Sequence, residues 1–175
     1  HRPQAVQAVY SMILKDHPEL FYAAPSFSAT VSPVEMRLQL SYLYEKNERK
    51  RLRGEMETHR RTLKKLSDQP ELTVEKAILG GLVCQSEYAV DMMYHQNAAA
   101  VLCGHKGQCS GFSGALKFLM DALQIQCIIT EGTVADPTTG KRMPHEWNII
   151  RLSSGWYHVD VTMMLGANGE KKKPL

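Results

Sequence analysis

Apolar residues open the chain in helical phase. Val6, Val9, Tyr10, Ile13 and Leu14 form one stripe between Gln4 and Lys15, the spacing of an amphipathic helix. His17-Pro18 closes it, because the residue before a proline is biased away from helical dihedrals. Two stretches of period-two character follow, Phe27, Ala29, Val31 and then Met36, Leu38, Leu40, Tyr42. With Ser32-Pro33 between them they predict a hairpin or a pair of short strands. From Lys46 to Ser67 the apolar positions Leu52, Met56, Leu63 and Leu66, with His59 filling the gap, draw a narrow stripe along a long helix. "SDQPEL" interrupts the pattern, and an apolar-rich helix is predicted from Thr73 to about Met93, then a "YHQN" loop and a short helical piece from Ala98 to Leu102. Phe112, Ala115, Leu116, Leu119, Met120 and Leu123 again recur at helical spacing, so a helix begins at Cys109 or Ser110. The last apolar runs, "IQCIITEGTV", "HEWNIIRL" and "GWYHVDVTM", are rich in Ile, Val, Thr, Trp and Tyr and predict three strands. Helices come first and strands last, with a cysteine at the seam, which is an α+β arrangement of segregated layers.

Composition changes this picture little. At 175 residues and 43% apolar content the chain can bury a core as a single domain over 1–175. That domain divides into N-terminal helices and a hairpin (1–70) and a core (71–175). No apolar run approaches the roughly 20 residues of a membrane helix, and no basic-then-apolar leader opens the chain. The chain starts at His1 rather than Met. It therefore reads as an excised piece, which favours an extracellular or cell-envelope setting over the cytoplasm. A net charge of +3 does not mark a nucleic-acid protein. Lys46 to Lys65 carries nine basic residues against three Glu, but without aromatic interleaving. That run reads as a solvated helix face with i,i+4 pairs such as Glu57–Arg61, and no nucleic-acid partner is expected.

The cysteines carry the chemistry. Cys84 and Cys127 sit in apolar runs and read as small core residues. Cys109 sits among glycines and serines at the start of a predicted helix. A thiol there faces unpaired backbone N–H groups and the positive end of the helix dipole, and both favour thiolate. Cys103, His105 and Cys109 could suggest zinc, but a structural site needs a fourth ligand and tighter pair spacing. No metal and no cofactor are expected.

A thiol nucleophile needs a base, and the base an orienting group. His145 opens one predicted strand and Asp160 lies near the end of the next. If Leu152 to Gly155 form the hairpin loop, Arg151 pairs with Trp156 and Trp147 with Asp160. His145 then shares a face with Asp160 at the diagonal separation of about 7–8 Å that side chains bridge. A three-residue loop without a bulge would put them on opposite faces. His158 has the parity of Asp160 and is a secondary candidate. Trp147 and Trp156 read as packing residues that shield the site. Gln96 is a candidate oxyanion-hole donor alongside the Cys109 N–H, or else a helix-cap or loop amide.

The runs "GQCSGFSGALKFLMDALQI", "HEWNIIRL" and "WYHVDVT" closely resemble the transglutaminase-like domains of the papain-like clan. Those share a Gly-x-Cys-x-Gly-aromatic segment opening a helix, His-x-Trp-Asn opening a strand, and Trp-Tyr-x-Val-Asp-Val-Thr ending the next. "YHQNAAAVL" is similar to the segment before the cysteine loop of bacterial members, and "DHPELF" is common in the group. The resemblance covers Thr73 to Thr162. It departs after Asp-Val-Thr, where "MMLGANGE" replaces a Trp and acidic residues, and at Leu175, where relatives add a further strand. The resemblance implies a papain-like core with Cys109 as nucleophile at a helix N-terminus, His145 as base and Asp160 as its orienting residue. It also implies cysteine-dependent acyl transfer or hydrolysis on protein or peptide amides through a thioester, as in a protease, deamidase or transglutaminase. The alternative it leaves is a non-enzymatic papain-like scaffold that binds a protein partner.

Overall fold

A computed structural model of the chain describes residues 2–89, 96–136 and 139–165. In chain order it runs α1 (Arg2–Asp16), a 3-10 turn (Pro18–Leu20), β1 (Ala23–Val31), β2 (Met36–Tyr42), α2 (Lys46–Lys64), α3 (Glu71–Gln85), β3 (Glu87–Tyr88) and α4 (Ala98–Gly104). It continues with β4 (Lys106–Gly107), α5 (Cys109–Ala122), β5 (Cys127–Ala135), β6 (Arg142–Leu152), β7 (Gly155–Val159) and α6 (Val161–Leu165). Helices and sheets segregate, so the α+β class holds.

The centre of the fold is α5. Every residue from Gly111 to Met120 is buried, so this helix is enclosed on all sides rather than lying on a surface. Lys117 is buried with it, and its ammonium donates to Cys127 O at 3.0 Å and Asp121 Oδ1 at 3.2 Å. Those bonds offset the cost of taking the charge out of water. Around α5 the core gathers Leu52 and Met56 of α2, Val74, Ile78, Leu79 and Val83 of α3, Val101 of α4, Ile150 of β6, and Val161 and Leu165 of α6.

Among the described residues β5, β6 and β7 form an antiparallel meander, β1 and β2 a separate hairpin, and β3 and β4 a short parallel pair. The β6–β7 register matches the sequence expectation, with Arg151 opposite Trp156. The loop is tighter than a four-residue one. Leu152 pairs with Gly155, and only Ser153 and Ser154 turn. Gly155 has φ +146, a dihedral that side chains rarely adopt.

Four expectations need correction. The helix predicted to reach Met93 ends at Gln85, and Glu87–Tyr88 instead pairs in parallel with Lys106–Gly107; residues 90–95 lie outside the described set. Cys84 is exposed rather than in the core, because the buried face of α3 runs through Val74, Ile78, Leu82 and Val83 and position 84 falls on the opposite side. The final strand stops at Val159, and a short helix begins at Val161. β6 starts three residues before His145, so the histidine lies within the strand and does not open it.

Part of the basic run of α2 pairs with glutamates of the same helix on an exposed face. Arg51 bonds Glu48 and Glu55, Arg60 and Arg61 flank Glu57, and Arg49 lies 4.6 Å from the Tyr42 ring centroid. These contacts fit the solvated-face reading.

Candidate active site

Cys109 is the first residue of α5, after Gln108 in extended backbone conformation. The Phe112 N–H to Gln108 carbonyl bond at 3.0 Å closes the first turn. The N–H groups that precede it have no intrahelical acceptor. The approach to Cys109 is set by the parallel bridge of Tyr88 to Gly107. Burial raises the Tyr88 phenol above its ordinary value, and the neighbouring Cys109 adds to the shift. Tyr88 is a site neighbour that periodicity did not reveal.

His145 comes from β6, opposite Gly132 of β5, and is 9% exposed. Extending the pairing of Asn148 with Val159 by one residue sets Asp160 beside Trp147, with His145 two residues earlier on the same face. His145 Nε2 lies 2.7 Å from Asp160 Oδ2. A carboxylate only accepts, so Nε2 carries the proton and Nδ1 is the unprotonated ring nitrogen of the neutral imidazole. The other Asp160 oxygen, Oδ1, accepts from the Met163 N–H at 3.1 Å. The start of α6 thus holds the carboxylate from behind.

Cys109 and His145 line one cavity of about 760 Å³, together with Gln96, Gly132 and Glu146. Gln96 Nε2 donates to Gln108 Oε1 at 3.1 Å, which ties the candidate oxyanion-hole amide to the residue before the thiol. His158 bonds Trp147 rather than the cavity. Asn148, only 1% exposed, donates to Ser113 O at 3.0 Å and to Cys127 Sγ at 3.3 Å. It clasps the strand of His145 to the helix of Cys109. A buried amide in an apolar strand was a legible signal for such a clasp.

The opposite wall of the cavity was not foreseen. Leu14 and Lys15 of α1, Phe21, and Ala23 and Pro25 of β1 line it. Lys15 joins this wall to the sheet through ion pairs with Glu131 and, at 3.2 Å, Glu146. Burial opposes the lysine charge, but the two carboxylates outweigh it and hold Lys15 above the usual lysine range.

The other thiols point elsewhere. Cys103 Sγ lies 3.8 Å from the Leu52 carbonyl of α2, and burial pushes it up to about 12. Burial does the same to Cys127, also to about 12. Among the described residues no helix is long and apolar enough to cross a membrane.

The fold is similar to the periplasmic domain of TgpA from Pseudomonas aeruginosa bound to ethylmercury, at 16% identity and a TM-score of 0.49, over 67% of this chain and 47% of that one. It is also similar to a crystal structure described as a TGase, at 14% identity and 0.49, over 79% and 44%. The chain therefore spans less than half the length of these structures. No curated protein matches the sequence. The sequence matches the Transglutaminase-like superfamily over residues 60–161, which is more than half of its length. The chain belongs to the transglutaminase-like superfamily, whose members are typically cysteine-dependent enzymes.

Proposed function

We propose that this protein transfers or hydrolyses acyl groups of protein or peptide amides through a thioester on Cys109. His145 serves as base and acid, and Asp160 orients it. The observation that carries the reading is the 2.7 Å His145–Asp160 bond beside a cavity that Cys109 also lines. In this reading His145 Nδ1 takes the thiol proton, and the thiolate sulfur bonds to the amide carbonyl carbon. The oxyanion is held by the Cys109 N–H and the Gln96 amide. Collapse breaks the C–N bond, and the proton on Nδ1 leaves with the amine. Water or a second amine, deprotonated by the same nitrogen, then attacks the thioester and restores the thiol. Water gives a peptidase or deamidase; an amine gives a transglutaminase. Residues 71–175 supply this machinery, and the segment before residue 70 supplies the far wall of the cavity. No metal or cofactor takes part in these steps.

Profiling the purified protein on a peptide-amide library, with and without a primary amine, tests the reading. Turnover is expected in the wild type and none in Cys109→Ala. Equal turnover in the two proteins would refute a thioester on Cys109.

A further inference from the structure

Trp147 lies beside His145 and is held by three strands. Its ring stacks on the imidazole with centroids 6.0 Å apart and planes inclined by 20°. Its Nε1–H donates to His158 Nδ1 of β7 at 2.8 Å. On the β5 side it leans over Gly132, the register partner of His145. A Cβ there would stand 2.8 Å from Trp147 Cη2 and 3.1 Å from Cζ3. Gly132 is not among the glycines with positive φ. The bare position therefore serves the approach of the indole rather than a backbone turn.

Chemistry settles the direction of the bond to His158. An indole N–H only donates, so His158 Nδ1 must carry no proton. The Asp160 bond fixes one ring atom of His145 and leaves rotation about that contact open, and a stacked plane removes this freedom. The face of an indole also attracts a cation out to about 6 Å, so the stack favours the imidazolium that forms when Cys109 gives up its proton. The charged and titratable groups around His145 are Asp160 at Nε2, Cys109, Glu131 and Glu146 in the shared cavity, Lys15 paired to both glutamates, and His158 through Trp147.

We propose, resting on the Cys109–His145–Asp160 reading, that Trp147 and His158 are positioning residues for His145. The indole, pinned by His158 and seated over Gly132, holds the imidazole plane with Nδ1 toward Cys109 and stabilises its protonated form.

The test is iodoacetamide alkylation of Cys109, mapped by peptide mass spectrometry at pH 7.5 and pH 10, in wild type, Trp147→Leu, His158→Leu and His158→Asn. At pH 7.5 a histidine is mostly neutral and can accept the indole bond, while an unassisted thiol is still mostly protonated. Asn presents Oδ1 near the position of Nδ1 and keeps the acceptor, whereas Leu removes it. At pH 7.5 Trp147→Leu should lose on the order of 3- to 10-fold in rate, His158→Leu a smaller factor, and His158→Asn almost nothing. At pH 10 a cysteine ionises without help from an imidazolium, and all four rates should converge. A general loosening of the fold would change the pH 10 rates as well, and would overturn the assignment. His158 is exposed, so its variants decide the matter even where Trp147→Leu does not fold. Equal pH 7.5 rates in wild type and His158→Leu would overturn this inference alone. A wild-type Cys109 no faster at pH 7.5 than the exposed Cys84 would overturn the catalytic reading and this inference with it.

Discussion

Replacing Asp160 by Asn separates orientation of the proposed base, His145, from the chemistry of the thiol. Asp160 serves two partners, His145 Nε2 through Oδ2 at 2.7 Å and the Met163 N–H through Oδ1 at 3.1 Å. Asn has one carbonyl oxygen and one NH₂ group. Turned to keep the Met163 bond, it presents NH₂ to Nε2–H, two donors face to face. His145 must then move its proton to Nδ1, the nitrogen proposed to take the proton of Cys109. Turned the other way, the amide keeps the imidazole and leaves the Met163 N–H without its acceptor, at about 1 kcal/mol. Loss of a hydrogen bond to a charged group costs about 1.5–3 kcal/mol, or roughly 10- to 150-fold in rate if felt wholly in the transition state. The same change in a serine triad costs about 10⁴, but a thiolate needs less help from its base than an alcohol does. Turnover of peptide amides and alkylation of Cys109 at pH 6 should therefore both fall by one to two orders of magnitude. The melting temperature should drop by only about 2–4 °C. Wild-type kinetics in an Asp160→Asn protein with wild-type circular dichroism would remove Asp160 from the site and leave a Cys–His pair.

Thiol accessibility should split the cysteines in two. Native protein at pH 8.5 is expected to be alkylated at Cys84 and Cys109 but not at Cys103 and Cys127, which burial pushes up to about 12; early modification of Cys127 would contradict its burial. Because folding raises the Cys127 value, its contribution to stability is fully present below its ordinary 9.0 and is lost as pH climbs toward about 12. Thermal melts across that range should fall less steeply in Cys127→Ala. Gly132→Ala drives a Cβ to 2.8 Å from Trp147 Cη2 and should cost about 1–3 kcal/mol with a shift in tryptophan emission; unchanged emission and melting would show that the indole is not seated there. Asn148→Leu strips the Ser113 carbonyl and Cys127 of their donor and should lower the urea unfolding free energy by about 1–3 kcal/mol; a neutral result would dismiss the clasp between β6 and α5.

Much of the geometry of the candidate site is legible in the sequence, because the relevant contacts are local or follow from parity. The apolar period of α5 begins directly after Cys109, which puts the thiol at a helix start. The pairing of Arg151 with Trp156 survives whether the turn is counted as four residues or two. One hairpin register therefore decides that His145, Trp147, His158 and Asp160 share a face. Period-two alternation carries that information along the chain.

What the tertiary structure decided depends on segments far apart in sequence. Periodicity marked α3 as apolar but not which face meets α5, so Cys84 was misplaced. Glu87 and Tyr88 became a strand only because Lys106 and Gly107 lie alongside, and two residues alone carry no pattern. The carboxylate of Asp160 is shared with the start of a helix that the strand-like run "WYHVDVTM" concealed. The far wall of the cavity depends on α1 and on an ion pair between Lys15 and Glu131, residues more than 100 positions apart. Side-chain period records which residues face together. Which distant surface they then face is set by packing, and a single chain read in order holds no record of it.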